Sequence, residues 1–567
     1  LIKRRRLFIT TLTVLIVAIA VGGWADSRSR AKRASMFRKL ELFGTVVERI
    51  SNYYVDEVDE EELIQKAIDA MLDDLDPHSQ FLEANQYDDL MLNTDGKFGG
   101  LGIIISVRDN FPTVISPIDG TPASRLDIKA GDKIVQIEGE STQGWKIQQA
   151  VARLRGEPGT DVGISVQREG EPEAVDYRIT REIIRIESVP YYTMIEGVGY
   201  VRVTNFARNT PQELKKALDD LIASGAEGII LDLRWNPGGL LQTARDVSEL
   251  FLEKDKLIVY TQGRISRHNA KYYSNSSQTY SELPLVVLVN EASASASEIV
   301  AGAIQDWDHG VIVGQTTFGK GSVQTIFELS DGQALKLTTA RYYTPSGRSI
   351  HRDRSKEEES TILAQTQGVG SGEEPVASVE PGDGSETGNG NGADEAEVTQ
   401  EDTEREVYHT ASGRVVYGGG GITPDWALEH VKAPDFVAKV ERGDHFFRFI
   451  SHFAADHDLP ETVEAGDPIL SSFKTYLGEK EIEFTDGDFN EETLPYICRG
   501  LTREIARREE GLTGVYRVSL RGDPEVAEVL QLFRETDTLQ EMFAWVEKHQ
   551  GVQEATASIE ETTTRVE

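Results

Sequence analysis

Cysteine is almost absent: Cys498 is the only one among 567 residues. A disulfide within the chain is excluded, and so is a zinc cage built on thiolates. Cys498 itself is expected as a small, partly buried apolar side chain. Basic residues are outnumbered, 59 against 95 acidic ones, for a formal net charge of −36. A broadly basic footprint for nucleic acid is therefore missing. The ten histidines show no arrangement with Ser and Asp that would make a His-based triad. Long apolar runs are scarce as well, and the one that exists covers residues 7–24.

What is present suffices for real cores. Hydrophobic residues make up 39 % and aromatics 8 %, and the length allows roughly three or four domains of ~150 residues. Lys3-Arg4-Arg5-Arg6 precedes the apolar run. A basic segment followed by about 18 apolar residues is a signal anchor or a signal peptide. The positive flank stays inside and the remainder is exported. Gly23 and Ala25 also permit cleavage after Ala25, whereas the length of the run and the basic residues that follow it favour retention. The chain is thus expected on the periplasmic side of the cell envelope, anchored in the inner membrane by residues 7–24.

Apolar positions at helical spacing fill 36–94, broken at Asp76-Pro77-His78-Ser79, where the proline holds Asp76 out of the helical region. Residues 95–183 read as short strands with one good helix, 148–154. Over 184–352 strands and helices alternate, the mark of an α/β layer. A helix begins at Thr210 as N-cap with Pro211 behind it, and 228–233 and 285–289 are continuous apolar strands. Residues 353–405 are charged and rich in Gly, Ser and Thr, an acidic insert expected to be disordered. Order is expected again over 406–430, and amphipathic helices over 431–567, with Phe446, Phe447, Phe449 and Ile450 as core and a polar tail.

Three segments carry chemistry. Asn290-Glu291-Ala292-Ser293-Ala294-Ser295-Ala296-Ser297-Glu298 follows a buried strand and opens a helix. A serine there is exposed at the strand end, beside amides that can receive an oxyanion. Taken alone, the run also fits tight helix–sheet packing. A serine nucleophile needs a base, and Lys320, between Gly319 and Gly321, is the candidate. Phe318 and Val323 can exclude water, and burial disfavours the charged amine, so a neutral lysine could take the serine proton. Gln324 can hydrogen-bond that amine. Taken alone, Gly-Lys-Gly is equally a solvated turn. The third segment is Asp232-Leu233-Arg234-Trp235-Asn236-Pro237-Gly238-Gly239 at the end of strand 228–233. Its two glycines free backbone N–H groups to face a ligand.

Together these segments resemble the carboxyl-terminal processing (tail-specific) serine peptidases, whose Ser–Lys dyad has the 25-residue interval that separates Ser295 from Lys320. Tyr53-Tyr54-Val55-Asp56, Leu75-Asp76-Pro77-His78-Ser79, Tyr342-Tyr343-Thr344-Pro345-Ser346-Gly347-Arg348-Ser349-Ile350 and Gly421-Ile422-Thr423-Pro424-Asp425 are further likenesses. The resemblance implies an α/β multidomain chain: a ClpP/crotonase-like α/β protease core with an inserted PDZ domain and helical N- and C-terminal regions. It implies Ser295 as nucleophile, Lys320 as base and Gln324 as its orienting partner. The oxyanion donors would be Ala296 with Gly238 or Gly239. Ser293 and Ser297 would be structural, the latter as a helix N-cap. Residues 95–183 resemble a PDZ domain, with Gly100, Leu101, Gly102 and Ile103 as its carboxylate-binding loop and Leu154-Arg155-Gly156-Glu157-Pro158-Gly159-Thr160 as a further match. Arg181 resembles a family arginine that couples the PDZ domain to the protease. No cofactor or metal is implied. The partners implied are polypeptides with apolar C-termini, not nucleic acid, and a homo-oligomer is left open. The competing readings are a non-catalytic PDZ-containing envelope scaffold and a crotonase-like acyl transferase, which Gly-Lys-Gly disfavours.

Overall fold

The computed structural model describes residues 35–275, 280–352, 405–429 and 432–549. The expected anchor over 7–24, nearly all of the insert 353–405 and the polar tail lie outside them. No described helix is long and apolar enough to cross a membrane. The chain forms two compact units, one from Leu1–Glu83 with Ile326–Leu337 and one from Ala84–Thr325 with Thr338–Glu567.

In the first unit, residues 35–53 are helical. A second helix, Glu60–Asp73, starts at Asp59, whose carboxylate accepts the Glu61 and Glu62 amides. Three glutamates in its first turn suit the positive end of the helix dipole. At the Asp-Pro-His-Ser break, the Asp76 carboxylate accepts the amides of His78 and Ser79. The strand Gln80–Leu82 then pairs antiparallel with residues 334–336.

The second unit is built on a six-stranded sheet in the order Tyr191–Ile195, Val198–Arg202, Gly228–Asp232, Leu285–Val289, Val311–Gly314, Trp426–Ala427. All neighbours after the first pair are parallel. Gly228–Asp232 and Leu285–Val289 are buried along their whole length, as the apolar runs require of strands covered on both faces. Side chains alternate between the faces. Leu285, Val287 and Val289 join the core made with helices Thr210–Ala223, Leu241–Phe251 and Ala296–Asp306. Val286 and Leu288 point the other way, onto Val526, Val529, Leu530, Met542 and Val546. The last helices of the chain, Pro524–Glu535 and 539–549, are therefore the second layer of the sheet. The helix at Thr210 is capped one residue earlier than expected, by Asn209.

The remaining C-terminal helices, Asp435–Arg442, His445–Phe453, Pro468–Glu479 and the first half of Leu494–Arg521, enclose their own core around Phe446, Phe449, Phe473 and Tyr476. Phe447 leaves that core for Ile115 and Ala130 of the β-rich module. This module is a sheet in the order Ile103–Arg108, Phe111–Pro117, Lys133–Ile137, Asp161–Gln167, Val175–Thr180. Its first strand is an edge, with helix Ile147–Leu154 packed beside it.

If the late helices cover the sheet, a charge there is intolerable. Val529 is fully buried, so Val529→Asp should cost at least about 4 kcal/mol. Thermal denaturation checks this, and a wild-type midpoint would show that the layer is dispensable.

Candidate active site

The Ser295 segment and the two-glycine turn lie together because the strands that deliver them, Leu285–Val289 and Gly228–Asp232, are neighbours in the sheet. Both leave the sheet at its carboxyl edge, where open α/β sheets place their ligands. Cross-bonds fasten one turn to the other. Ala294 N and Ser297 Oγ both donate to Asn236 O, at 3.0 and 2.9 Å, and Ser293 Oγ donates to Leu233 O at 2.9 Å. Ser297 is therefore not the N-cap. That position belongs to Ser295 itself, while the hydroxyls of Ser293 and Ser297 reach back to the glycine turn.

Ser295 stands at φ 55°, ψ −108°, a conformation that costs a non-glycine residue about 1–3 kcal/mol and persists only when its surroundings hold it. Two groups hold it. The Glu298 carboxylate, fully buried, accepts from Ser295 N at 2.8 Å and Lys320 N at 2.9 Å on Oε2. Its Oε1 accepts from Thr317 Oγ1 at 2.6 Å and Gly319 N at 2.7 Å. Burial pushes the Glu298 carboxyl up from the usual range, and those donors pull it back. The second group is the Tyr342 hydroxyl, which reaches Ser295 O at 3.0 Å and also Lys320 O. Burial holds this phenol well above its ordinary pKa, so it remains a donor. The amides of Ser295 and Lys320 thus meet on one carboxylate oxygen, and their carbonyls meet on one hydroxyl. Both residues are half-buried. Gln324 Nε2 donates to Ser322 Oγ at 2.9 Å and lies 3.4 Å from Thr338 Oγ1.

Gly238 presses on the serine segment. A Cβ there, at φ +100°, would fall 2.7 Å from Ser295 Cβ and 2.8 Å from Ala296 N. Its own N–H is taken by Asn236 Oδ1 at 2.9 Å. Gly239 is bracketed by bonds from Phe206 N to Gly238 O and from Leu240 N to Phe206 O. Ala296 opens the helix, where the first amides have no intrahelical acceptor. Sequence reading quoted Glu298 and Tyr342 within their motifs and missed the role of both. The Ser-x-x-Glu spacing of Ser295 and Glu298 is a capping-box signal that could have found the first, while the motif that opens on Tyr342 does not say which backbone its hydroxyl meets.

In the β-rich module the carbonyl of Leu101 accepts Ala123 N, and that of Gly102 accepts Ile118 N and Thr121 Oγ1. In a trans peptide the N–H is opposed to the C=O, so the amides of Gly102 and Ile103 face the other way. A Cβ on Gly99 would lie 2.1 Å from Gly156 O, which accounts for glycine at 99, and one on Gly156 would press on the Arg181 side chain, 2.9 Å from its Nε. Gly156 N donates to Gly99 O at 3.2 Å, tying the loop to the helix end. Arg181 caps that same helix. Its guanidinium donates to Leu154 O at 3.0 Å, Arg153 O at 2.8 Å, Thr160 Oγ1 at 2.9 Å and Asp161 O at 3.1 Å. These bonds place Arg181 within the module, satisfying carbonyls that a helix C-terminus leaves open. Among the described residues no group of three or more His, Cys, Asp or Glu side chains is arranged to hold a metal ion.

Neither orientation of an amide can satisfy four donors on Glu298. In Glu298→Gln two of them lose their acceptor, at about 1–3 kcal/mol each, so stability should fall by roughly 2–6 kcal/mol and kcat on a peptide substrate by about 10–100-fold. Urea denaturation and steady-state kinetics test this, and wild-type values in both would remove Glu298 from the site.

Comparison with known proteins places the chain in a family. The model of peptidase family S41 matches residues 197–358, a PDZ domain model matches 99–179, and the N-terminal domain model of the activating protease CtpB matches 23–86. A carboxy-terminal-processing protease of Bartonella bacilliformis is 41 % identical over 331 residues, 58 % of this chain and 76 % of that one. Carboxy-terminal processing protease CtpA of Bacillus subtilis is 33 % identical over 355 residues, 62 % of this chain and 76 % of its own length. Among solved structures, a photosystem II D1 C-terminal processing protease is 30 % identical, with a TM-score of 0.32 over 55 % of this chain and 89 % of that one. The PDZ domain of a carboxy-terminal protease from Vibrio cholerae, solved in complex with peptide, is 27 % identical, with a TM-score of 0.15 over 16 % of this chain and 99 % of that one.

Proposed function

The chain belongs to peptidase family S41, among the carboxy-terminal processing proteases that carry a PDZ domain, and we propose that it is a serine endopeptidase working through a Ser295–Lys320 dyad on polypeptides whose free C-terminus its PDZ domain recognises. The observation that carries the reading is the convergence of the Ser295 and Lys320 backbones on Glu298 and Tyr342. Residues 25 positions apart are held side by side by two groups that serve both.

In this mechanism the neutral Lys320 amine takes the Ser295 Oγ proton as Oγ attacks the scissile carbonyl. The negative oxygen is received by Ala296 N–H and a glycine N–H. Because Gly238 N–H is already occupied by Asn236 Oδ1, Gly239 is the favoured second donor. The Lys320 ammonium returns the proton to the leaving amine, and the ester is then hydrolysed by a water that Lys320 deprotonates. Gln324 has its amide nitrogen turned to Ser322 and Thr338, which leaves Oε1 as an acceptor for the lysine N–H. Ser295→Ala and Lys320→Ala should each abolish cleavage of an unfolded polypeptide with an apolar C-terminus. Cleavage surviving Ser295→Ala overturns the dyad. Lysine is a base only when neutral, so kcat/KM should rise with pH, and a flat profile between about pH 5 and 9 would count against it.

Recognition is supported by the edge position of strand Ile103–Arg108 beside helix Ile147–Leu154. An extended peptide can add to that edge, its carboxylate meeting the amides of Leu101, Gly102 and Ile103. Ile103 and Ile105 join Ala150 and Leu154 in the apolar cluster there, which suits an apolar terminal side chain. A peptide ending in a free carboxylate should bind the full chain at least about tenfold more tightly than its C-terminal amide, since a charge-assisted bond is worth about 1.5–3 kcal/mol. Equal affinities by calorimetry would overturn this mode.

A further inference from the structure

The C-terminal helices do more than cover the sheet. Arg234 stands in the turn that leads to Gly238 and Gly239, and it is buried. Its guanidinium has five N–H donors in a rigid fork. Nε and Nη2 reach Asp232, at 3.1 and 2.7 Å. Nη2 and Nη1 reach Asp523, at 2.6 and 3.3 Å, and Nη1 reaches Glu525 at 2.7 Å. Asp232 also accepts Arg202 Nη1 and the Tyr200 hydroxyl, at 2.8 and 2.7 Å.

Asp232 is two residues from Arg234, so its contact moves with the turn. Asp523 and Glu525 lie 289 and 291 residues away and provide an external anchor. They are held in turn: Asp523 is the N-cap of helix Pro524–Glu535, accepting Val526 N, and that helix is packed on the sheet through Val526, Val529 and Leu530. Glu525 Oε1 also accepts Gln315 Nε2 at 3.0 Å, on the segment that runs from strand Val311–Gly314 towards Lys320. The residue after Arg234, Trp235, has φ 61°, a backbone state that costs a non-glycine residue free energy and needs support. Asn236 follows, with its carbonyl on the Ser295 segment and its side chain on Gly238 N.

We propose that Asp523 and Glu525 are positioning residues for catalysis: by clamping Arg234 they hold the Trp235–Gly239 turn, and with it the second oxyanion donor, against Ser295. This rests on the Ser295–Lys320 reading. The cluster sets two guanidinium groups, Arg202 and Arg234, against the carboxylates of Asp232, Asp523 and Glu525. Neutralising one carboxylate leaves two charges of each sign, so single variants should fold. Asn caps a helix as well as Asp does, so Asp523→Asn removes the charge and spares the cap.

The test uses the full chain with Asp523→Asn, Glu525→Gln, the double variant, and the exposed Glu528→Gln as a control on the same helix. kcat and KM are measured on a peptide with an apolar C-terminus, together with affinity for a peptide boronate, whose adduct with a serine puts a negative oxygen where the oxyanion forms. All rates are normalised to active sites titrated with a serine-reactive phosphonate. Each single variant should lower kcat about 10-fold and the double about 100-fold, boronate affinity falling by the same factors while KM and Glu528→Gln stay within about twofold. Unchanged boronate affinity, or a loss of activity that matches the loss of titrated sites, would overturn the proposal, and the singles decide if the double does not fold. A wild type that binds no boronate, or a Ser295→Ala variant that still cleaves, would instead overturn the dyad.

Discussion

One buried carboxylate organises this site. Glu298 accepts four hydrogen bonds, and its donors come from the serine segment and from the lysine loop. A buried carboxylate without donors would be costly, and donors without the carboxylate would be too. Each side is thus stable only in the presence of the other. Tyr342 repeats the arrangement with opposite polarity, offering one hydroxyl to the two carbonyls. The unfavourable backbone angles of Ser295 are sustained by this pair of contacts, and strain there is tolerable because its neighbours over-determine it.

The segments remote in sequence that look like ornaments to the core turn out to hold it. Arg348 is fully buried and donates to Asp306 Oδ1 and Gln305 Oε1 at the end of the serine helix. Asp425 accepts Ile312 N, Gln305 Nε2 and Arg414 Nη1. Ile422 exchanges bonds with Thr317, in N → Oγ1 and N → O fashion, so the chain returning after the insert braces the loop that carries Lys320. The same logic extends to the C-terminal helices, which cover a sheet face, seat the PDZ domain through Phe447 and clamp Arg234.

Much of the site was legible because its chemistry is local. A serine at a strand-to-helix junction, glycines at a strand end and a lysine between glycines each announce themselves by residue type and spacing. The glycines earn their places through close approach, and close approach leaves a signature in sequence: no other residue fits at Gly238 or Gly99. The N-cap was misassigned to Ser297 although, of the three serines, only Ser295 has a glutamate three residues on, the local signal of a capping box. The tertiary structure adds the partners of the other two hydroxyls, Asn236 O for Ser297 and Leu233 O for Ser293, which arrive from another strand. The carbonyl partners of Arg181, Leu154 and Arg153, belong to a helix end some 27 positions earlier and cannot be seen from its neighbours in sequence.

The amino-acid sequence by itself determined the α/β core, the PDZ module, the order of the three chemical segments and the excess of negative charge over any nucleic-acid footprint. These follow from periodicity, composition and short-range steric demands, which act over a few residues. Tertiary structure alone decided which carbonyls take the Ser293 and Ser297 hydroxyls, which carboxylates hold Arg234, and which sheet face the last helices cover. Those outcomes depend on hydrogen-bond partners and apolar faces that meet only after the sheet has formed. An acceptor 291 residues away has no imprint on the local sequence of the arginine it holds.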